Sequence, residues 1–170
     1  DGKYKYVITA KDRAGYTTVI TREIFIDTTA PTLAVSNIAC GNVISTNDYT
    51  YRGTLTDIPA GPRNVYYQFT QSAAPVAPGT DPVAAGYTSV SAMTGSWAIS
   101  KNNVEGTMPS AGNLHEGQWY LHLAADDTAG NVTSSVVTVP FIVDLKNPVA
   151  EETTINTISP YTATVDKTGL

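Results

Sequence analysis

The sequence predicts an all-β protein, a Greek-key β-sandwich built from a unit that recurs along the chain. Three observations carry this. Thr, Val, Tyr and Ile are abundant, Pro and Gly punctuate the chain, and no long window has helical period. Apolar and polar residues alternate with a period of two in short runs bounded by turn signals. The third observation is an internal copy. Residues 1–32 read DGKYKYVITAKDRAGYTTVITREIFIDTTAPT, and residues 116–149 read EGQWYLHLAADDTAGNVTSSVVTVPFIVDLKNPV. Gly2 and Gly117 stand 115 apart, as do Gly15 and Gly130. Asp27 and Asp144 stand 117 apart, as do Pro31 and Pro148, so the second copy carries two extra residues between its turn and its closing Asp. A fixed period means one structural unit used repeatedly.

The strands follow in order. Strand A is expected over 32–38 and strand B over 49–56, ending at Asp57. Strand C spans 64–70, with Val65, Tyr67 and Phe69 on one face and Tyr66 and Gln68 on the other. Residues 71–86, with Pro75, Pro78 and Pro82, are too rich in Pro and Ala for a ladder strand and read as a long loop between the two sheets. Strand D lies near 87–93 and strand E over 96–100, with Trp97 and Ile99 inward. Strand F spans 118–126, with Trp119, Leu121, Leu123 and Ala125 inward and Tyr120, His122 and Ala124 outward. Strand G covers 133–143. In the first copy Tyr4, Tyr6, Ile8 and Ala10 take the inward register, with Lys3, Lys5 and Lys11 outward. Seven short strands with turn signals between them fit a sandwich.

Composition narrows the function. The chain has 170 residues, 15% of them charged, and a net charge of −5. A modestly acidic surface argues against nucleic acid and against anionic membrane surfaces as partners. No apolar run reaches the roughly 18 residues a spanning helix needs, so no membrane insertion is expected. Cys40 is the only cysteine, which rules out an internal disulfide and reads as a small buried thiol or a loop residue. The histidines, His115 and His122, form no metal-type cluster and no Ser/His/Asp arrangement, and no Gly-rich phosphate loop is present. No enzyme activity is expected.

The string Gly117-x-Trp119-x-Leu121-x-Leu123-x-Ala125-x-Asp127-x-Ala129-Gly130-Asn131, closing with Val143-Asp144 and Pro148, resembles bacterial immunoglobulin-like repeats. The first copy carries the fuller signature: Gly2-x-Tyr4, Asp12-x-Ala14-Gly15 and Ile26-Asp27-Thr28-Thr29-Ala30-Pro31. Thr56-Asp57 followed by Asn64-Val65-Tyr66-Tyr67 is similar to the family's second and third strands, and Thr94-Gly95-Ser96-Trp97 to its fifth. The departures are Leu145-Lys146-Asn147 in place of Thr-Thr-Ala, and Tyr16 where Asn is usual. The resemblance implies an immunoglobulin-like Greek-key sandwich in tandem repeats. Residues 1–30 would be the last two strands of one repeat, 31–147 a complete repeat, and 148–170 the first strands of the next. It also implies a non-catalytic structural or adhesion role in a large bacterial protein, extracellular or at the cell surface. The alternative is an accessory module of a secreted carbohydrate-active enzyme, acting as a spacer or weak sugar binder.

Both recurring motifs have physical readings. In Asp127-Thr128-Ala129-Gly130 the carboxylate can accept turn amides, and Gly130 can take the left-handed conformation that a bulged hairpin turn requires. After Asp27, Pro31 restricts the chain to an extended link. In this topology the B–C and F–G loops face the preceding unit. Asp57 and Asp127 would then lie near linker Asp27, and three converging carboxylates suit a hard cation such as Ca2+ at the domain junction. The resemblance implies the same, since related surface adhesins carry calcium there. The other reading leaves Asp127 capping its turn and Asp27 a solvated linker residue. A second junction would use Asp144, with Glu151 and Glu152 nearby.

Aromatic residues offer a second kind of site. Tyr49, Tyr66, Tyr87 and Tyr120 are candidates for an exposed glycan-stacking surface, whereas Trp97 and Trp119 read as core. Asn131-Val132-Thr133 is a glycosylation sequon in form only, because it coincides with the family's turn. The chain opens inside a motif, which predicts a preceding segment. Isolated hairpins are marginal in water, so the flanks should find neighbouring repeats of the same protein or self-associate through terminal strands.

Overall fold

The computed structural model describes residues 1–106 and 112–148, and everything described is strand, turn or loop. The expected first strands of a following unit, at 148–170, fall almost wholly outside the described residues, as do Glu151 and Glu152. No helix among the described residues is long and apolar enough to cross a membrane.

Two strands stand apart from the rest. β1 (Gly2–Lys11) and β2 (Thr17–Ile26) form a two-stranded antiparallel sheet. The remaining strands build a β-sandwich. One sheet has five strands in the order β4 (Asn42–Ile44), β11 (Val137–Val143), β10 (Gly117–Asp127), β6 (Pro62–Thr70) and β7 (Thr88–Ser91). The other has four: β3 (Thr32–Val35), β5 (Asp48–Thr56), β8 (Ser96–Val104) and β9 (Leu114–His115). One apolar core lies between them. Tyr51, Leu55, Trp97 and Ile99 come from the four-stranded sheet, and Val65, Leu121, Leu123, Phe141 and Val143 from the five-stranded one. Tyr51 is fully buried at the centre, its ring centroid 4.9 Å from that of Phe69 and 5.5 Å from that of Phe141. Alternation alone places these residues, since inward positions of neighbouring strands meet on one face.

The internal copy recurs in the pairing. Gly2 pairs with Ile26, Tyr4 with Ile24 and Ile8 with Ile20. At the equivalent positions Gly117 pairs with Val143, Trp119 with Phe141 and Leu123 with Val137. The two extra residues of the second copy sit beyond this shared ladder. There the pairing of β10 with β6 shifts register between Asp126 and Asp127, and a lone bridge joins Asp126 to Val132.

Several expectations need correcting. The segment 71–86 does not connect the two sheets. It returns to β7, which pairs with β6 in the same sheet, Val65 opposite Val90. The crossing to the other sheet is made instead by the short turn before β8, where the Gly95 amide donates to the Ala92 carbonyl at 2.8 Å. The long loop folds over the outer face of β6 and β10. Tyr66, Tyr87 and Ala124 form a small buried cluster there, with Ala85 packed against it. This loop explains His122. The residue is on the outer face of β10, as alternation requires, yet it is fully buried. β4 and β9 were not anticipated: β4 pairs in parallel with β11, and β9 in parallel with β8. The inward register of the first copy is also exposed. Tyr4, Tyr6, Ile8, Ile20 and Ile24 all rank among the exposed large apolar residues, because no described element covers that face of the hairpin.

Candidate metal centre at the domain junction

Asp27, Asp57 and Asp127 meet where the hairpin joins the sandwich. One carboxylate oxygen from each lies within 4.8 Å of the others. Asp27 follows β2, Asp57 follows β5, and Asp127 ends β10, so three separate strand ends supply the three acids. Asp127 is buried, and the other two are half-buried.

Backbone amides hold each carboxylate in place. Asp127 Oδ1 accepts the Gly130 and Asn131 amides at 2.7 and 2.9 Å, so the acid does cap its turn, and Gly130 has φ +95°. Asp57 Oδ2 accepts the Gly61 amide at 2.9 Å. Asp27 is no free linker residue: Oδ1 accepts the Thr29 amide at 3.0 Å, and Oδ2 accepts the Ala60 amide at 2.9 Å across the junction. Asn131 is the residue the sequence reading missed. Its Nδ2 donates to Asp127 Oδ2 at 2.7 Å and to the carbonyls of Asp27 and Thr29 at 3.1 and 3.3 Å. Thr128 adds a hydroxyl donated to the Ala60 carbonyl and an amide donated to the Gly61 carbonyl at 2.9 Å. In the first copy Tyr16, which is exposed, stands at the position of Asn131. Its amide is committed at all three contacts, which leaves the sequon's acceptor nitrogen engaged in the junction.

No basic side chain among the described residues pairs with any of the three acids. The electrostatic result falls on Asp57. Burial pushes its carboxyl above the ordinary range, the Gly61 amide pulls it back, and the charges of Asp27 and Asp127 push it up further. A notch of about 300 Å³ lined by Phe25, Asp27, Pro59, Ala60, Thr128 and Ala129 opens beside Asp27. The residues fit a hard cation. Asp127 Oδ1 is taken up by its two amides, but Asp127 Oδ2 and both oxygens of Asp27 each accept a single donor, and Asp57 Oδ2 accepts one amide, so every one of the three acids keeps a lone pair. Calcium takes six to eight oxygens from carboxylates, carbonyls and water.

Tyr66 and Tyr87 are buried under the long loop, which removes them from any glycan-stacking surface. Tyr66 donates its hydroxyl to Asp126 at 2.7 Å, and Tyr87 donates to the Val76 carbonyl at 2.6 Å. Tyr49 and Tyr120 are half-buried, and the Tyr120 ring stacks on His122. His122 Nδ1 lies 2.9 Å from Thr138 Oγ1, and Nε2 lies 2.9 Å from Thr70 Oγ1 and 3.0 Å from the Ser72 carbonyl. His115 Nδ1 lies 2.9 Å from the Glu116 carbonyl, and its ring meets that of Trp119 edge-on. Cys40 is an exposed free thiol in a turn. No protein-family model matches this chain, and no curated protein matches its sequence.

Proposed function

We propose that this chain belongs to an extended cell-surface or secreted protein made of tandem immunoglobulin-like sandwiches, and that its role is mechanical and spatial. The observation that carries this reading is the shared register of β1–β2 and β10–β11. The same strand pair occurs twice. In the second copy its apolar face is the core of a sandwich, and in the first it is bare. On this reading residues 1–30 close a preceding sandwich, whose other strands cover Tyr4, Tyr6, Ile8 and Ile24. A link of five residues, from Asp27 to Pro31, separates the two units, and Asn131 and Ala60 bolt it to the sandwich. A short, anchored link between such units makes a rod.

The three acids at the joint are read as a calcium site that stiffens it. The support is the charge imbalance: three carboxylates converge, no basic side chain among the described residues meets them, and the Asp57 carboxyl is pushed up by burial first and then by the charges of Asp27 and Asp127. Calorimetric titration of the chain with calcium chloride tests this. Calcium should bind, and at a hundredfold excess over its dissociation constant it should stabilise the fold by about 2.7 kcal/mol. Asp57→Asn keeps an acceptor for the Gly61 amide and should abolish the effect. Heat and melting curves that calcium leaves unchanged would remove the metal from the model.

The spatial role is tested on cells that make the protein, with an antibody raised to this chain. A band several times larger than a typical enzyme, lost when intact cells meet protease, supports a surface stalk or filament. A band of ordinary enzyme size in the medium supports the accessory-module alternative.

A further inference from the structure

The chain carries a second linker, and it is built on the same frame with one difference. Asp1 and Glu116 both precede the glycine that opens a strand pair. Asp1 turns back onto the first linker, where Oδ1 accepts the Thr28 amide and hydroxyl, each at 2.8 Å, and Oδ2 accepts the Thr29 hydroxyl. Glu116 turns back onto the second linker, with Oε2 3.0 Å from Lys146 Nζ. Asp27 and Asp144 likewise each accept the amide two residues on, from Thr29 at 3.0 Å and from Lys146 at 3.2 Å. So an acid before the strand pair and an Asp after it grip each linker. What differs is the residue they grip: Thr29 in the first, Lys146 in the second.

That difference changes the charge balance. At the first linker the Asp1 carboxylate meets hydroxyls and an amide, and no ammonium among the described residues pairs with it. At the second, the Lys146 ammonium faces Glu116 first, then Glu105 and Asp144, and these acids hold it above its ordinary range. The Glu116 side chain is only 11% exposed. Burial works against its charge, but Lys146 outweighs that, helped by the amides of Gly106 and Leu145, and the carboxyl sits below its ordinary range.

We propose that Lys146 is a built-in counterion that fixes the second linker to the sandwich without a metal, so that a divalent cation acts on the joint before the sandwich and leaves the Glu116–Lys146 clamp unchanged. The first half of this contrast rests on the calcium reading given above; the role of Lys146 does not. The entry to the sandwich then responds to the medium, and the clamp at its exit is set by the sequence.

Amide hydrogen exchange on the whole chain tests both halves, in calcium and in a chelator. Removing calcium should speed exchange of the Thr29, Ala60 and Asn131 amides by about tenfold or more while the Lys146 amide stays unchanged. Lys146→Gln should speed exchange at Lys146 by about tenfold in both media and leave the Asp144 amide, bonded to the Ile44 carbonyl, unaffected. Glu116→Gln should do the same. A Lys146 amide that slows with calcium as Thr29 does would overturn the proposal, and so would a Lys146→Gln variant with unchanged exchange. If calcium moves neither joint, the metal reading of the first joint falls, and the Lys146→Gln result alone decides the counterion.

Discussion

Gly53 leaves room for Trp97. A Cβ built at Gly53 would lie 2.0 Å from the Ala34 carbonyl oxygen and 2.4 Å from the Trp97 ring, so neither β3 nor the indole has anywhere to go. Gly53→Ala should destabilise the fold by about 1–3 kcal/mol or more, read as a fall in urea midpoint at constant slope. Asp57 makes a prediction of the opposite character. Its folded-state pKa is raised, so the folded chain binds that proton more tightly than the unfolded chain does. The stability this contributes is present at acidic pH and is lost as pH rises through the raised value. In chelator, Asp57→Asn should therefore melt higher than the parent at neutral pH, and the gap should close on acidification. A variant that melts lower at neutral pH would contradict the electrostatic account of the cluster. The acids themselves were legible in the sequence, because loop order places strand ends B and F beside the linker. Asn131 was not, since it acts on Asp27 and Thr29 across more than a hundred residues of chain.

At the scale of elements, β6 and β10 are tied by more than their ladder. Asp126, buried at the end of β10, accepts the Asn64 amide at 3.0 Å, the Tyr66 hydroxyl at 2.7 Å and the Arg63 guanidinium, all from β6. Asp126→Ala strips these donors at once and should lose about 1–3 kcal/mol for each buried donor left unpaired, measurable by thermal or urea unfolding. The seven main strands were readable because each is a run of alternating residues longer than one turn signal. β4 and β9 have three and two residues, too few to show a period, and they form because a neighbour's edge is there to receive them. The sheet to which β7 belongs was misjudged for a related reason. Alternation says which face a side chain takes, but the partner of a strand is set by the loop that delivers it, and residues 71–87 deliver β7 back to β6. The same loop buries His122, Tyr66 and Tyr87, which local pattern alone assigns to solvent.

For the molecule as a whole, the bare hairpin face governs behaviour in solution. Tyr4, Tyr6, Ile8, Ile20 and Ile24 lie exposed on one side of a two-stranded sheet whose outer edges are also unpaired among the described residues. The isolated chain should self-associate, with a weight-average mass in sedimentation that rises with concentration. Tyr6→Lys with Ile24→Lys, both far from the sandwich core, should suppress this without altering its melting. A monomer at all concentrations would mean that the hairpin satisfies itself, and the reading of residues 1–30 as half of a neighbouring unit would lose its main physical support. The copied strand pair was visible in the sequence because Gly2, Gly15, Asp27 and Pro31 recur as Gly117, Gly130, Asp144 and Pro148. The difference between the two linkers emerges only when each copy is seen gripping its own.

β4 and β11 run in the same direction, with Asn42, Val43 and Ile44 beside Phe141, Ile142 and Val143. β4 follows β3 in the chain and lies beside the end of β11, where the chain leaves the sandwich. Tension applied along the chain drags these two strands past each other lengthwise, so their rungs bear load together, whereas a hairpin such as β10–β11 pulled open at its ends would yield one rung at a time. A three-residue strand too short to be seen in the sequence is thus placed where tension along the chain loads it in shear.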